Sequence, residues 1–353
     1  MVWYESGEKM IYINGRFLGQ KVTGVQRFEI EFLKQLDEME EYNKNVTVLI
    51  PKDCENKIQL KHIQVQKIGL FKNNLWEQIS LPLFLRKQKH AKLLNMGNTS
   101  PILYPGHIVI HDISFKTYPD HINTSFKVWY GFMYFMNLKR QEKIFTISNF
   151  SKREIMEEYR IDEKEIRIIY NAADHMKNIK PDYQILTSLN LEGKPFCFSL
   201  GSKSKHKNHK YIEDLAKKYS DITFVVTGAN NHVLKDTTND DEILNNLIYT
   251  GYLSDEEICA LYKKCTCFIL PSLYEGFGLP PLEAMFCGCK NVAVSDIEVF
   301  HELYGNSVQY LNLDVEKCDF KKIMFSKKKF SRELLKKYTR FNVVKDIMEE
   351  MSK

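Results

Sequence analysis

No apolar run in this 353-residue chain reaches the ~20 residues that a membrane-spanning helix needs. A multi-pass membrane protein is therefore not expected. Residues 1–7 have neither a basic stretch nor a long apolar core, so no secretory leader is expected. The eight cysteines are scattered, with no small-domain framework. They read as reduced thiols of a cytoplasmic protein, free in solution or at the inner face of the membrane. Cys265/Cys267 and Cys287/Cys289 have one intervening residue, not the two typical of zinc sites. There is no Asp-x-Asp motif, internal repeat, low-complexity tract or nucleic-acid-binding motif, and the basic residues are spread out. The net charge of +5 permits anionic ligands without demanding them.

What is present is alternation. Short apolar runs at 10–13, 46–50, 107–111, 144–147 and 166–170 form one strand series. Runs at 196–200, 222–227, 247–249, 267–270 and 291–294 form a second. Helix-like stretches intervene at 25–38, 75–86, 127–138, 152–160, 211–218 and 255–263. Strands alternating with helices predict an α/β protein with parallel sheets. The polar segment 174–186, with Pro181, separates the two series, and 236–242 reads as an exposed acidic loop.

The densest signal is PSLYEGFGLPPLEAMFCG at 271–288. It follows the apolar run 267–270 and precedes a helix-like pattern from Leu282 to Phe286. Gly276 and Gly278 allow close backbone approach to a ligand. Pro280 and Pro281 suit a helix start, where a missing N–H costs little. A helix N-terminus attracts phosphate. Glu275 on the loop and Glu283 in the first helical turn are acceptors for sugar and ribose hydroxyls.

Three further segments stand at expected strand ends, where parallel sheets bind ligands. Residues 198–208, FSLGSKSKHKN, turn at Gly201 and carry Lys203, Lys205, His206 and Lys207. Residues 14–27 contain Thr23-Gly24-Val25 before an amphipathic helix. His111-Asp112 ends the run 108–110. Elsewhere, Ser151 with Glu154 reads as a helix-capping box. Trp129, Phe132, Met133 and Met136 share one helical face, as in a core helix or an interfacial membrane helix. Arg86, Lys87, Lys89 and Lys92, with Lys139, Arg140 and Lys143, could meet anionic lipid.

In these motifs the chain resembles the family 4 retaining glycosyltransferases, whose mark is two glutamates separated by seven residues in a Glu-Gly-Phe-Gly-x-Pro context. The resemblance implies the GT-B fold: two Rossmann-like doubly wound domains facing a central cleft. An acceptor-side domain would cover 1–178 and a nucleotide-sugar domain 179–330, with a helix over 331–353 crossing back. Tyr170-Asn171 resembles the family's Asn-Gly before the domain linker, with Ala172 in the glycine's place. The implied catalytic residues are Glu275, His111 and Lys207. Donor contacts fall to Gly24, Gly201, Ser202, His206, Lys207, Gly276, Phe277, Gly278, Leu279 and Glu283. Arg27 completes a Thr-Gly-x-x-Arg match, and 225–228 with 251–253 would frame the base. His206 and Ser202 stand where arginine is found in the family, which leaves Lys207 as the matching cation.

The implied reaction moves a hexose, mannose or rhamnose favoured, from a nucleoside diphosphate sugar to a glycan or lipid-linked acceptor. Neither a metal nor a cofactor is expected, nor nucleic acid as a partner. The alternatives are a nucleotide-sugar epimerase and a non-catalytic scaffold on the same fold.

Overall fold

The computed structural model describes residues 9–55, 58–117, 124–202, 204–228, 244–326, 328 and 330–353. Lys203 and the acidic run 236–242 lie outside the described residues, as do 1–7. The chain divides into two compact units, Met1–Asn171 with Thr339–Lys353, and Ala172–Tyr338. The division follows Asn171, earlier than the expected 178/179.

In the first unit the strands are β1 (Met10–Asn14), β2 (Val46–Pro51), β3 (Gln64–Ile68), β4 (Ala91–Asn95), β5 (His107–Ile110), β6 (Lys143–Thr146) and β7 (Ile166–Ile168). Their order is β3-β2-β1-β4-β5-β6-β7, all parallel. The helix Gly24–Asp37 turns Phe28, Phe32, Leu33 and Leu36 inward, each burial worth ~1.5–3 kcal/mol. Thr23 and Gln26 form its capping box.

The second unit holds β8 (Phe196–Leu200), β9 (Thr223–Thr227), β10 (Leu247–Gly251), β11 (Cys267–Leu270), β12 (Val292–Ser295) and β13 (Gln309–Leu311). Their order is β10-β9-β8-β11-β12-β13, again parallel. β11 and β12 are buried along their whole length, which explains their unbroken apolar sequence. The helix Asp255–Lys264 is capped reciprocally, Ser254 Oγ accepting from Glu257 N and Glu257 Oε2 from Ser254 N. Its acids lie in the first turn and Lys263 and Lys264 in the last, matching the helix dipole.

Several expectations are corrected. The helix Asn149–Tyr159 is capped by Ser148, whose Oγ accepts from Ser151 N at 3.0 Å. Ser151 instead lies inside the helix and donates to the His111 carbonyl at 3.3 Å. The C-terminal stretch forms two helices, Arg332–Lys337 in the second unit and Arg340–Ser352 in the first. Arg340 pairs with Glu31 at 2.7 Å, and Arg167 with Glu350 at 2.8 Å and Asp346 at 3.1 Å. Lys353, Arg167 and Lys143 hold the Glu350 carboxyl down to about 2. Lys143 is thus committed inside the unit, as is Lys92, which donates to the Met351 carbonyl at 2.6 Å. On the helix Thr124–Asn137 the face expected from spacing is rotated: Met133 is buried, whereas Val128, Phe132 and Phe135 are exposed.

Candidate active site

The order of the second unit's sheet reverses between β8 and β11, so the loops leaving these neighbours diverge at a switch point, where such sheets bind ligands. The β8 loop is the basic segment, and the β11 loop carries Glu275. Leu273 N donates to the His206 carbonyl at 2.7 Å, and Asn208 Nδ2 to the Pro271 carbonyl at 3.2 Å. Asn208 sits at φ +55°, a left-handed conformation that asparagine tolerates better than most residues. This turn aims Lys207 at the second loop. Lys207 Nζ lies 2.6 Å from Glu275 Oε1, and the Ser272 hydroxyl donates to the same oxygen at 2.8 Å. Ser272 is fully buried, and its carbonyl is bonded by the Ser295 hydroxyl. The carboxylate is thereby fixed from two sides, while the ammonium has three N–H donors to distribute.

Gly278 sits at φ +83° and caps the helix Leu279–Phe286. Its carbonyl is bonded by the Tyr304 hydroxyl. Pro280 and Pro281 occupy the first turn, as their missing donors allow. Glu283 lies one turn deeper than expected, because the helix begins at Leu279. The Tyr262 hydroxyl donates to Glu283 Oε2 at 3.0 Å. Burial, then the Glu283 charge, push the Tyr262 phenol well above its usual range, so it remains a donor.

The Phe277 ring is buried and packs edge-on against Tyr338 at 5.5 Å, so the side chain anchors the loop and the backbone is the part that can face a ligand. Gly276 is buried beside it and Leu279 is half-buried. Gly201 follows β8, its N–H bonded to the Thr227 carbonyl at 3.0 Å. A Cβ on Gly228 would stand 2.9 Å from the Gly201 oxygen, so the two turns nearly touch. Ser202 is exposed and shares a hydroxyl contact with Ser204 at 3.0 Å. His206 is half-buried.

The remaining residues belong to the first unit. His111 is buried just after β5, with its ring edge-on to Phe28 of the helix Gly24–Asp37 at 4.9 Å. Its Nε2 lies 3.0 Å from the Met96 carbonyl. A carbonyl only accepts, so the proton is on Nε2 and Nδ1 is left as the ring's acceptor. Burial lowers its pKa and keeps the ring neutral. Gly24 opens the same helix, and a Cβ there would meet nothing within 4 Å. No neighbour among the described residues demands that glycine.

Sequence reasoning did not single out Ser272, Tyr262 or Asn208 as partners of the site. The serine three residues before Glu275 was visible, but nothing in a sequence says which side chains a loop folds back upon.

These two doubly wound sheets are the GT-B architecture. Over 98% of this chain and 99% of the other, the fold matches the crystal structure of Anabaena Alr3699/HepE in complex with UDP-glucose, with a TM-score of 0.70 at 17% identity. Residues 185–315 match the family described as Glycosyl transferases group 1. Across 86% of its length the chain is 30% identical to the O-antigen chain mannosyltransferase RfbU of Salmonella typhimurium, covering 87% of that protein. It is also 27% identical to O-antigen chain mannosyltransferase B of Escherichia coli, over 56% of this chain and 54% of that one. The chain belongs to the group 1 glycosyl transferases.

Proposed function

We propose that this glycosyltransferase moves a hexose, mannose favoured, from a nucleoside diphosphate sugar to a glycan or lipid-linked acceptor of surface polysaccharide, with retention. The observation that carries the donor site is the Lys207–Glu275–Ser272 group at the β8/β11 switch point. Negative charge grows on the diphosphate as the sugar leaves. Lys207 and the N-terminus of the helix Leu279–Phe286 are fixed positive poles that stabilise it without reorganising. Glu275 accepts from sugar hydroxyls and offsets positive character at the anomeric carbon, and Glu283, oriented by Tyr262, accepts from the ribose. His111 accepts a sugar hydroxyl through Nδ1. The two names O-antigen mannosyltransferase among the relatives favour mannose.

The test is calorimetric titration with GDP, UDP, dTDP and ADP in the presence of EDTA. Micromolar binding of one nucleotide is expected, unchanged by EDTA. Binding only when Mg²⁺ or Mn²⁺ is added would refute metal-free anchoring, and binding of none would remove the donor site.

A finer part of the reading concerns where the enzyme works. Among the described residues no helix is long and apolar enough to cross a membrane. Yet Val128, Phe132 and Phe135 form an exposed stripe on one helix, with Phe135 76% exposed. Leu75, Ile79 and Leu83 form another along 73–85. Gln78 and Asn137 both donate to the Ser100 carbonyl, at 3.1 and 2.7 Å, which sets the two helical stretches side by side. Exposed Leu103 follows that segment, and exposed Arg86, Lys87, Lys139 and Arg140 follow the two stretches. Apolar side chains bordered by cations suit an anionic bilayer surface. In vesicle flotation, the double substitution Phe132→Asp/Phe135→Asp is expected to cut binding to phosphatidylglycerol vesicles at least tenfold. Equal flotation of both proteins, or of wild type with purely zwitterionic vesicles, would discard the membrane contact.

A further inference from the structure

The sheet of the first unit has its own switch point, between β1 and β4. At the C-terminal ends of these strands lies a small pocket of about 20 Å³, room for one hydroxyl or water, lined by Asn14, Arg16, Glu29, Glu77, Gly97 and Thr99. None of these residues has a part in the donor site described above.

Glu77 is fully engaged. Its Oε2 accepts from Asn14 Nδ2 at 3.1 Å and Thr99 Oγ at 3.2 Å and lies 3.2 Å from Arg16 Nε, while Oε1 accepts from Gln78 at 3.2 Å. Glu29 is not. It is only 2% exposed, and its Oε2 is buried without a hydrogen-bond partner among the described residues. Burial pushes its carboxyl well above the usual range, opposed by Arg16 and reinforced by Glu77, which favours the uncharged acid. It sits on the inward face of the helix Gly24–Asp37, otherwise lined by Phe28, Phe32, Leu33 and Leu36. A leucine there would avoid the cost of an unsatisfied buried acid. Such a break with local packing logic is characteristic of functional positions.

The pocket's chemistry selects its ligand. Arg16 and Glu77 cancel each other. A phosphate would meet the Glu77 carboxylate and a guanidinium already paired, and a cation would meet that same guanidinium. A hydroxyl both donates and accepts, as a carboxylic acid does, so the two can form a reciprocal pair. Past Arg16 and Gln20 lies a second pocket of about 240 Å³, bounded in part by Pro51 and Asn73, which leaves room for the ring of a polyhydroxy ligand.

We propose that one hydroxyl of the acceptor's terminal sugar enters this pocket and is read by Glu29, with the sugar ring and the rest of the glycan in the wider pocket past Arg16. The inference rests on the transferase reading and adds the residue that selects the acceptor.

The test uses the full chain and methyl glycosides of mannose, rhamnose, galactose and N-acetylglucosamine, with binding followed by saturation-transfer NMR and no donor present. Wild type is expected to bind at least one. Glu29→Met is expected to weaken that binding at least tenfold while raising Tm by roughly 2–4 °C, because an unsatisfied acid is removed. Glu29→Gln keeps a donor and an acceptor and is expected to bind within about threefold of wild type. Gly97→Ala places a Cβ 3.1 Å from Glu29 Oε1, so the carboxyl must give by a few tenths of an ångström, and it is expected to narrow the pocket and weaken glycoside binding. A purely structural Glu29 would instead show a lowered Tm in Glu29→Met and unchanged glycoside binding. That result, or a wild type that binds none of the four, overturns the proposal. Nucleotide titration of the same samples separates the readings: nucleotide bound without glycoside sinks Glu29 alone, whereas neither bound sinks the transferase site as well.

Discussion

Lys207→Met should lower kcat for sugar transfer about a hundred- to a thousandfold, the range found when one preorganised group facing a developing anion is removed. The side chain keeps its length and apolar stem and loses only the ammonium. That ammonium lies 2.6 Å from Glu275, at side-chain exposures of 17% and 10%. Such a pair is neither a freely hydrated surface contact nor a dry buried one. Losing it should therefore cost only about 1 kcal/mol of stability, toward the upper end for exposed pairs. The separation of the two effects is the point. Charge on the leaving diphosphate is greater in the transition state than in the bound donor, so kcat should fall more than KM rises. Steady-state kinetics, with a melting curve as the fold control, decides it. A kcat within threefold of wild type would remove Lys207 from the chemistry. A large rise in KM at constant kcat would make it a ground-state anchor only. Glu275→Ala should abolish transfer with the fold intact, while leaving the buried Ser272 hydroxyl without its acceptor.

The parallel α/β character was readable because most strands are largely apolar and buried runs, such as 267–270 and 196–200. The strands that were not expected fail for distinct reasons. β3 reads Gln-Val-Gln-Lys-Ile and lies at a sheet edge, so its sequence follows solvent more than core. β13 is a three-residue edge strand. β4 is central, but its large apolar residues are only Leu93 and Leu94, directly after the basic stretch 86–92. The candidate site divides in the same way. Glycines, prolines and glutamates at 275–283 carry backbone information in their identity, so a strand–loop–helix ligand site could be inferred. The inward turn of Phe277, the Tyr262–Glu283 bond and the depth of Glu283 depend on tertiary neighbours far along the chain. Glu29 is the clearest case. In sequence it is one of many helix acids, and only its position opposite Gly97 and Glu77 makes it unusual.

Gly278→Ala should be the most damaging single-methyl change in the second unit. Two costs coincide there. At φ +83° an alanine is strained by about 1–3 kcal/mol. Its Cβ would also stand 2.5 Å from Phe300 Cε1, and Phe300 is fully buried, so overpacking adds about 1–3 kcal/mol. At roughly 2–4 °C per kcal/mol for a unit of this size, the melting temperature should drop by about 4–24 °C. Activity should fall further than stability explains. Gly278 sets the first turn of the helix Leu279–Phe286, and its carbonyl is held by Tyr304 from the same helix as Phe300. A displaced ring moves that helix and with it the N–H groups proposed to face the diphosphate. Gly24→Ala is the comparison, since nothing lies within 4 Å of its Cβ and no melting loss is expected. A Gly278→Ala protein that melts within 2 °C of wild type would refute the argument. The double substitution Gly278→Ala/Phe300→Leu separates the two costs. Leucine withdraws the clashing ring edge but cannot relieve the backbone, so whatever destabilisation exceeds that of Phe300→Leu alone measures the left-handed strain.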